Sequence, residues 1–258
     1  RNMFTGQWGV SLNISRDTPV SELIMQRLPR TIDLLLLPLI VGIVLGKLLG
    51  NISIRHNSST VNRLIQLLSI IGIAIPIFIF GMSLQYLLGY KLRLFPTTGF
   101  KTRDYTDPEF VTGFRIIDSL ISGEFNLIYD YLYHLFVPWT VLTIGIISFT
   151  ILLTRYTRLN KKPNNIATNS LNFGISFGVI YALSLITEIV FDFKGANQLL
   201  LRGFLTSDYW VLNAFIFLIP LIFLVLSFLS NVVFLHLKYF KIGSKKYIKT
   251  DLVNEKGY

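Results

Sequence analysis

The chain has no cysteine among its 258 residues. Disulfides and thiolate metal sites are therefore excluded, and the redox compartment leaves no mark on the sequence. Its three histidines, His56, His134 and His236, fall in different regions without paired ligand spacing, and no nucleophile and base cluster near them, so a membrane enzyme has no residues to run on. There is no internal repeat and no low-complexity tract. The chain opens on Arg1, and no basic-then-apolar signal segment precedes Asn2, which leads us to expect that the natural start, with a further membrane span, lies outside this chain. The GIVLGKLL stretch lacks one residue between its glycines and has no Ser or Thr after Lys47, so it is not a phosphate loop.

Apolar sequence is abundant: 52% of residues are hydrophobic, 14% are aromatic and the mean hydropathy is +0.57. These values belong to an integral membrane protein. The net charge of +10 does not imply nucleic acid, because Lys and Arg flank apolar spans and do not line a groove with interleaved aromatics. Five spans are read, at about 31–50, 63–89, 131–154, 171–191 and 210–237. Residues 1–30 are mixed polar, with Val20 to Leu28 as a short amphipathic helix outside the bilayer, and 90–130 forms a polar cap with a short helix from Phe114 to Ser122. The whole is one all-α, polytopic domain. Lys and Arg are about twice as dense in 51–63, 155–170 and 238–258 as in the other inter-span segments, which places the first set, and the C-terminus, on the cytoplasmic side of the cell membrane. Of three Asn-x-Ser sequons, at Asn13, Asn51 and Asn57, only Asn13 then lies outside, where a glycan can be added.

The span from Leu171 to Phe191 is the one around which the rest is arranged. Its 21 residues extend about 31 Å, the thickness of the hydrocarbon. Gly174, Gly178, Tyr181, Leu185 and Glu188 share one face, so this face is expected to pack closely on a neighbour and to keep Glu188 away from lipid. A structural Glu satisfied by a neighbour and a carboxylate in a translocation path are both compatible with it. Gly42, Gly46 and Gly50 form a second close-packing stripe, and the two striped helices are expected to meet. Pro76 falls mid-span and should kink it, either as architecture or as the lining of a path.

Read in order, short motifs resemble the permease subunits of binding-protein-dependent ABC importers, in the dipeptide/oligopeptide/nickel branch. Thr5 to Ser11 resembles its Gly-acidic-x-Gly-x-Ser segment, with Gln7 in place of the acid. Pro19-Val20 and Arg27 to Thr31 resemble its entry to the second family helix, and Pro76-Ile77-Phe78 its Pro-x-Phe. Phe95 to Gly99 is similar to Leu-Pro-x-x-Gly, His134 to Pro138 to His-Leu-x-x-Pro, and Arg155 to Arg158 to Arg-x-Thr-Arg. Glu188 to Ala196 is similar to Glu-x-x-Phe-x-x-Pro-Gly-x, with Lys194 replacing Pro, and Ser207-Asp208-Tyr209 completes the series. None is specific alone; eight in one order are.

The resemblance implies a type I ABC importer transmembrane fold with the first family helix missing. It also implies partners: a homologous second permease, two ATP-binding subunits that hold the ATP, and an extracytoplasmic substrate-binding protein, all around a lipid bilayer. The chain itself would carry no cofactor. Peptide is the leading cargo, oligosaccharide or a metal complex the alternatives within the branch, and a non-transporting assembly subunit the alternative outside it. By the same resemblance Arg155, Arg158, Lys161, Lys162 and Asn169 fall in the ATPase-coupling region, and Pro76, Phe78, Gly174, Gly178 and Glu188 in the path or its helix packing. The family's coupling helix, with its Ala-x-Gly core, is absent between Arg158 and Leu171. Only Asn169-Ser170-Leu171 resembles the end of that signature, and an omitted segment is expected between Leu159 and Asn165.

Overall fold

The computed structural model describes residues 6–55, 59–161, 163 and 165–254, with side chains described as far as residue 238. Among the described residues eight α-helices follow one another: α1 (Val20–Arg55), α2 (Thr60–Ala74), α3 (Ile77–Leu84), α4 (Arg115–Ile121), α5 (Phe125–Leu159), α6 (Ile166–Val190), α7 (Ala196–Leu205) and α8 (Tyr209–Asn254). Among the described residues there is no strand, only an isolated bridge between Val10 and Pro19. Four helices, α1, α5, α6 and α8, are long and apolar enough to cross a membrane, and α2 with α3 makes a fifth crossing if the bent pair is one span.

The helix expected outside the bilayer at Val20 to Leu28 and the first span are one continuous 36-residue helix, α1. Pro29 and Pro38 do not stop it; at about 54 Å it exceeds the hydrocarbon by several turns. The second span, read as a kinked 63–89, is two helices meeting at 91°. Pro76 is the cause: it stands as N-cap of α3, and Ile75 before it is extended, as the residue preceding proline tends to be. α3 then runs into a π-helical segment, Gln85–Lys91, whose first residue donates its side-chain amide to Thr97 O at 2.8 Å and Val190 O at 2.9 Å. The Phe114 to Ser122 helix expected in the cap is present as α4.

The glycine stripe of α1 packs on α5, not on α6 as expected. A Cβ at Gly42 would meet Ile146 Cγ2 at 2.6 Å, at Gly46 Thr150 Cβ at 2.5 Å, and at Gly50 Thr154 Cβ at 2.9 Å. Both stripes advance by four residues in the same direction, so α1 and α5 run parallel in a fixed register, and theirs is the most extensive interface of the fold. Below the cap a second set of contacts locks the same pair: the Trp139 indole N–H donates to Asp33 O and the Tyr131 hydroxyl to Asp33 Oδ2, both at 3.2 Å. Leu34, Tyr131, Leu135, Leu142 and Phe193 fill the core beside them. The 90–130 cap leads into the start of the 35-residue α5 and the α5–α6 connection leaves its end, so the two lie at opposite ends of that helix.

Candidate functional site

Glu188 is fully buried near the end of α6, and its carboxylate joins three helices. Oε1 accepts from the Thr31 hydroxyl of α1 at 2.6 Å and from Asn197 Nδ2 at 3.0 Å; Oε2 accepts from the Gln198 backbone N–H at 3.0 Å. Gln198 is the third residue of α7, so Glu188 serves as the capping acceptor that Gly195, having no side chain, does not provide. Thr31 Oγ1 in turn accepts from Ala196 N at 2.8 Å, and Asn197 donates to Ser184 Oγ at 3.0 Å. A Cβ on Gly195 would stand 2.5 Å from both Glu188 Oε2 and Thr31 Oγ1, so only glycine fits there. The expected protein-facing Glu188 is thus a junction between helices. Ser184 and Asn197 were not singled out from sequence, because a lone hydroxyl or amide has no period to betray it, and Thr31 entered only as the last residue of the Arg27 to Thr31 motif.

The rest of that α6 face differs from expectation. A Cβ at Gly178 would meet nothing within 4 Å, and one at Gly174 only the Phe223 ring at 3.9 Å. Phe173 and Phe177 reach Phe223 of α8 with ring centroids 6.0 and 5.3 Å apart, and these rings hold the two helices too far apart for glycine-to-backbone contact. Within this chain the Gly174–Gly178 stripe is not a close-packing seam.

At the α2/α3 break a cavity of about 530 Å³ opens between α1, α2, α3, α5 and α6. Ile75, Ile77, Phe80, Val179 and Leu183 give it an apolar wall, with Ser69 and Ser148 as its hydroxyls. Pro76 makes the break but does not line the cavity, and Phe78 is exposed on the other side of α3, 46% accessible. Phe80, two positions on, takes the place expected for Phe78; the 91° turn, which the sequence does not specify, decides which phenylalanine faces inward.

At the opposite end from the cap, Arg155 reaches into the bundle. Its Nη1 donates to Ser53 Oγ of α1 and to Asn62 Oδ1 of α2, the latter at 2.9 Å, and Ser53 and Gln66 also donate to Asn62 Oδ1, each at 2.6 Å. Asn169 donates to Asn231 Oδ1 of α8 at 2.8 Å. These two residues of the expected coupling region therefore tie helices of the chain together, while Arg158 and Lys161 are exposed. Lys162 lies outside the described residues. α5 ends at Leu159 and α6 starts at Ile166, where the Asn165 side chain caps it through Thr168 N at 2.9 Å. Among the described residues no separate helix stands between them.

Two segments with a family-like look, almost 200 residues apart, meet at the chain's beginning. Asp208 Oδ2 accepts from the Ser11 hydroxyl at 2.6 Å and from the backbone N–H of Leu12, Asn13 and Ile14 at 3.0, 3.1 and 3.3 Å. The Asn13 side-chain nitrogen, the atom a glycan would occupy, donates to Thr206 O at 2.8 Å. Burial pushes the Asp208 carboxyl up, but the Ser11 hydroxyl and the Asn13 and Ile14 N–H groups outweigh it and hold it below its ordinary value. A carboxyl depressed on folding stabilises fully above its unfolded pKa of about 4 and loses that contribution as pH falls through the lower folded value. We expect Asp208→Asn to cost about 1–3 kcal/mol locally. Hydrogen exchange at the Leu12, Asn13 and Ile14 amides, corrected for intrinsic rate, should accelerate at least tenfold in that variant at neutral pH, and in the unmodified chain only below about pH 4. Equal protection in the two proteins at pH 7 would refute the clasp.

Among the described residues no group of three His, Asp or Glu side chains could hold a metal. The comparisons with known proteins agree with the geometry. The family described as "Binding-protein-dependent transport system inner membrane component" matches residues 39–176. The oligopeptide transport system permease protein AppB of Bacillus subtilis is 30% identical over 240 residues, covering 83% of this chain and 69% of that protein. The dipeptide transport system permease protein DppB of Lactococcus lactis is 39% identical over 105 residues, 41% of this chain and 34% of that one. The putrescine export system permease protein SapB of Escherichia coli is 23% identical over 257 residues, 87% of this chain and 78% of that one.

Proposed function

Since this chain belongs to the family of binding-protein-dependent transport system inner membrane components, we propose that it is the permease subunit of an ATP-driven peptide importer and forms half of the translocation path. It is a transport subunit and not an enzyme. The observation that carries the reading is the break at Pro76: an interrupted helix pair beside a cavity of about 530 Å³ is tolerated at membrane depth only where backbone is covered by protein or lines a passage. A homologous second permease would complete the path, a substrate-binding protein would deliver cargo at the cap, and two ATPases would act at the α5–α6 end, a cytoplasmic position that the density of Lys and Arg supports. Peptide is the preferred cargo because AppB and DppB are named for oligopeptide and dipeptide transport. Glu188 acts in this reading as the joint that holds α7 against α1 and α6.

The short α5–α6 connection favours a second reading, a membrane assembly subunit without ATPase coupling. Single cysteines at Arg158 and Asn160, in a chain that has none, separate the two. Crosslinking in native membranes should capture an ATPase from both positions, and from neither if the chain does not couple. Capture only from a cysteine in the 51–63 segment would move the coupling surface to the α1–α2 connection.

A further inference from the structure

A second, polar cleft of about 420 Å³ lies at the cap, between the first turns of α1 and the 107–118 segment. Its carboxylates are already supplied with donors. Asp118 accepts from Thr112 N at 2.8 Å, Thr112 Oγ1 at 2.6 Å and Gly113 N at 2.9 Å. Asp107 pairs with Lys101 at 3.2 Å and with Arg115 Nη1, and Glu22 accepts from Gln26 at 3.1 Å. The cations of the cleft are less well served. Arg115 is 5% exposed, and its Nε and Nη2 are both buried without a hydrogen-bond partner among the described residues. Arg30, on the facing wall, holds its guanidinium 4.2 Å over the Phe100 ring; Arg115 lies 5.7 Å from the same ring.

Nε and Nη2 form one edge of a guanidinium, two parallel N–H bonds at the spacing of the two oxygens of a carboxylate. An edge of that kind, left unsatisfied in a buried side chain that lines a cleft, is costly unless an anion completes it. We propose that this cleft is a carboxylate-binding subsite, in which the Nε/Nη2 edge of Arg115 takes a ligand's carboxylate in bidentate fashion and Arg30 adds a second positive charge. Asp107 holds the third nitrogen, Nη1, and so fixes the plane of the fork; it also competes for the same cation. The site selects a small solute with a free carboxylate, such as the C-terminus of a peptide, against a diamine, which has none. The choice of a peptide as bearer rests on the transport reading above; the carboxylate chemistry does not.

The test is titration calorimetry on the purified full chain in detergent with alanyl-alanine, its C-terminal amide and acetate. Alanyl-alanine should bind at least tenfold more tightly than the amide, with acetate competing. Arg115→Lys, which keeps the charge and loses the fork, and Arg30→Gln should each weaken dipeptide binding tenfold or more. Asp107→Ala should tighten it several-fold, a gain that misfolding cannot produce. Equal binding of dipeptide and amide, no binding of any probe, or unchanged affinity in Arg30→Gln and Arg115→Lys would overturn the assignment. Binding of acetate without alanyl-alanine, lost in Arg115→Lys, would support the carboxylate site and count against the peptide reading alone.

Discussion

Glu188→Ala is expected to lower the melting temperature of the purified chain by about 10 °C. The substitution leaves the Thr31 hydroxyl and the Gln198 N–H without their acceptor in a fully buried place, and leaves the Asn197 amide with Ser184 alone. Each orphaned donor costs about 1–3 kcal/mol, so the loss is about 3 kcal/mol or more, and in a chain of this size 1 kcal/mol moves the midpoint by about 2–4 °C. Glu188→Gln keeps one oxygen for Thr31 and Asn197 but turns an NH₂ toward Gln198 N, and should cost about 1–3 kcal/mol. Gly195→Val should match the alanine variant by a different cause, since its Cβ would lie 2.5 Å from the carboxylate. Thermal unfolding followed by fluorescence-detected size exclusion measures all three, and a Glu188→Ala protein melting within about 2 °C of the parent would show that the junction is not structural.

Gly46→Leu should prevent recovery of folded protein altogether. Its Cβ would meet Thr150 Cβ at 2.5 Å and the Ile147 carbonyl oxygen at 3.0 Å. One of these atoms is backbone, so no rotamer change relieves the clash and α1 must leave α5, giving up the most extensive interface. Gly178→Leu is the control: its side chain enters open space and should melt with the parent. If the two variants behave alike, the parallel α1–α5 register described above is wrong.

The contrast between these glycines shows where the sequence is legible. Spans, cap, the proline break and the buried carboxylate all follow from runs of about 20 apolar residues and one misplaced charge, which are local signals. A four-residue glycine stripe declares a close-packing face but not the partner. Gly42, Gly46 and Gly50 find Ile146, Thr150 and Thr154, residues separated from them by about a hundred positions, whereas Gly174 and Gly178 find a phenylalanine and empty space. The same limit explains Arg155 and Asn169. Sequence position puts them in a connecting loop, yet helices α5 and α6 extend further than their apolar cores, and the added turns aim both side chains inward at Ser53, Asn62 and Asn231. Asp208 is the opposite case. Its Ser-Asp-Tyr setting was legible, but its partners at Ser11 to Ile14 were not, because no periodicity links the two ends of a chain.

Because α1 and α5 interlock over three consecutive turns near one end and share Asp33, Tyr131 and Trp139 near the other, they cannot slide or tilt independently. The pair is a stiff spine of about 50 Å running from cap to far end. A displacement applied where α5 meets α6 is therefore expected to reach the cap as a tilt of the pair together. Compliance is left to the part that lacks such a seam, the elbow at Pro76. A machine built this way flexes at its elbow and keeps its backbone straight.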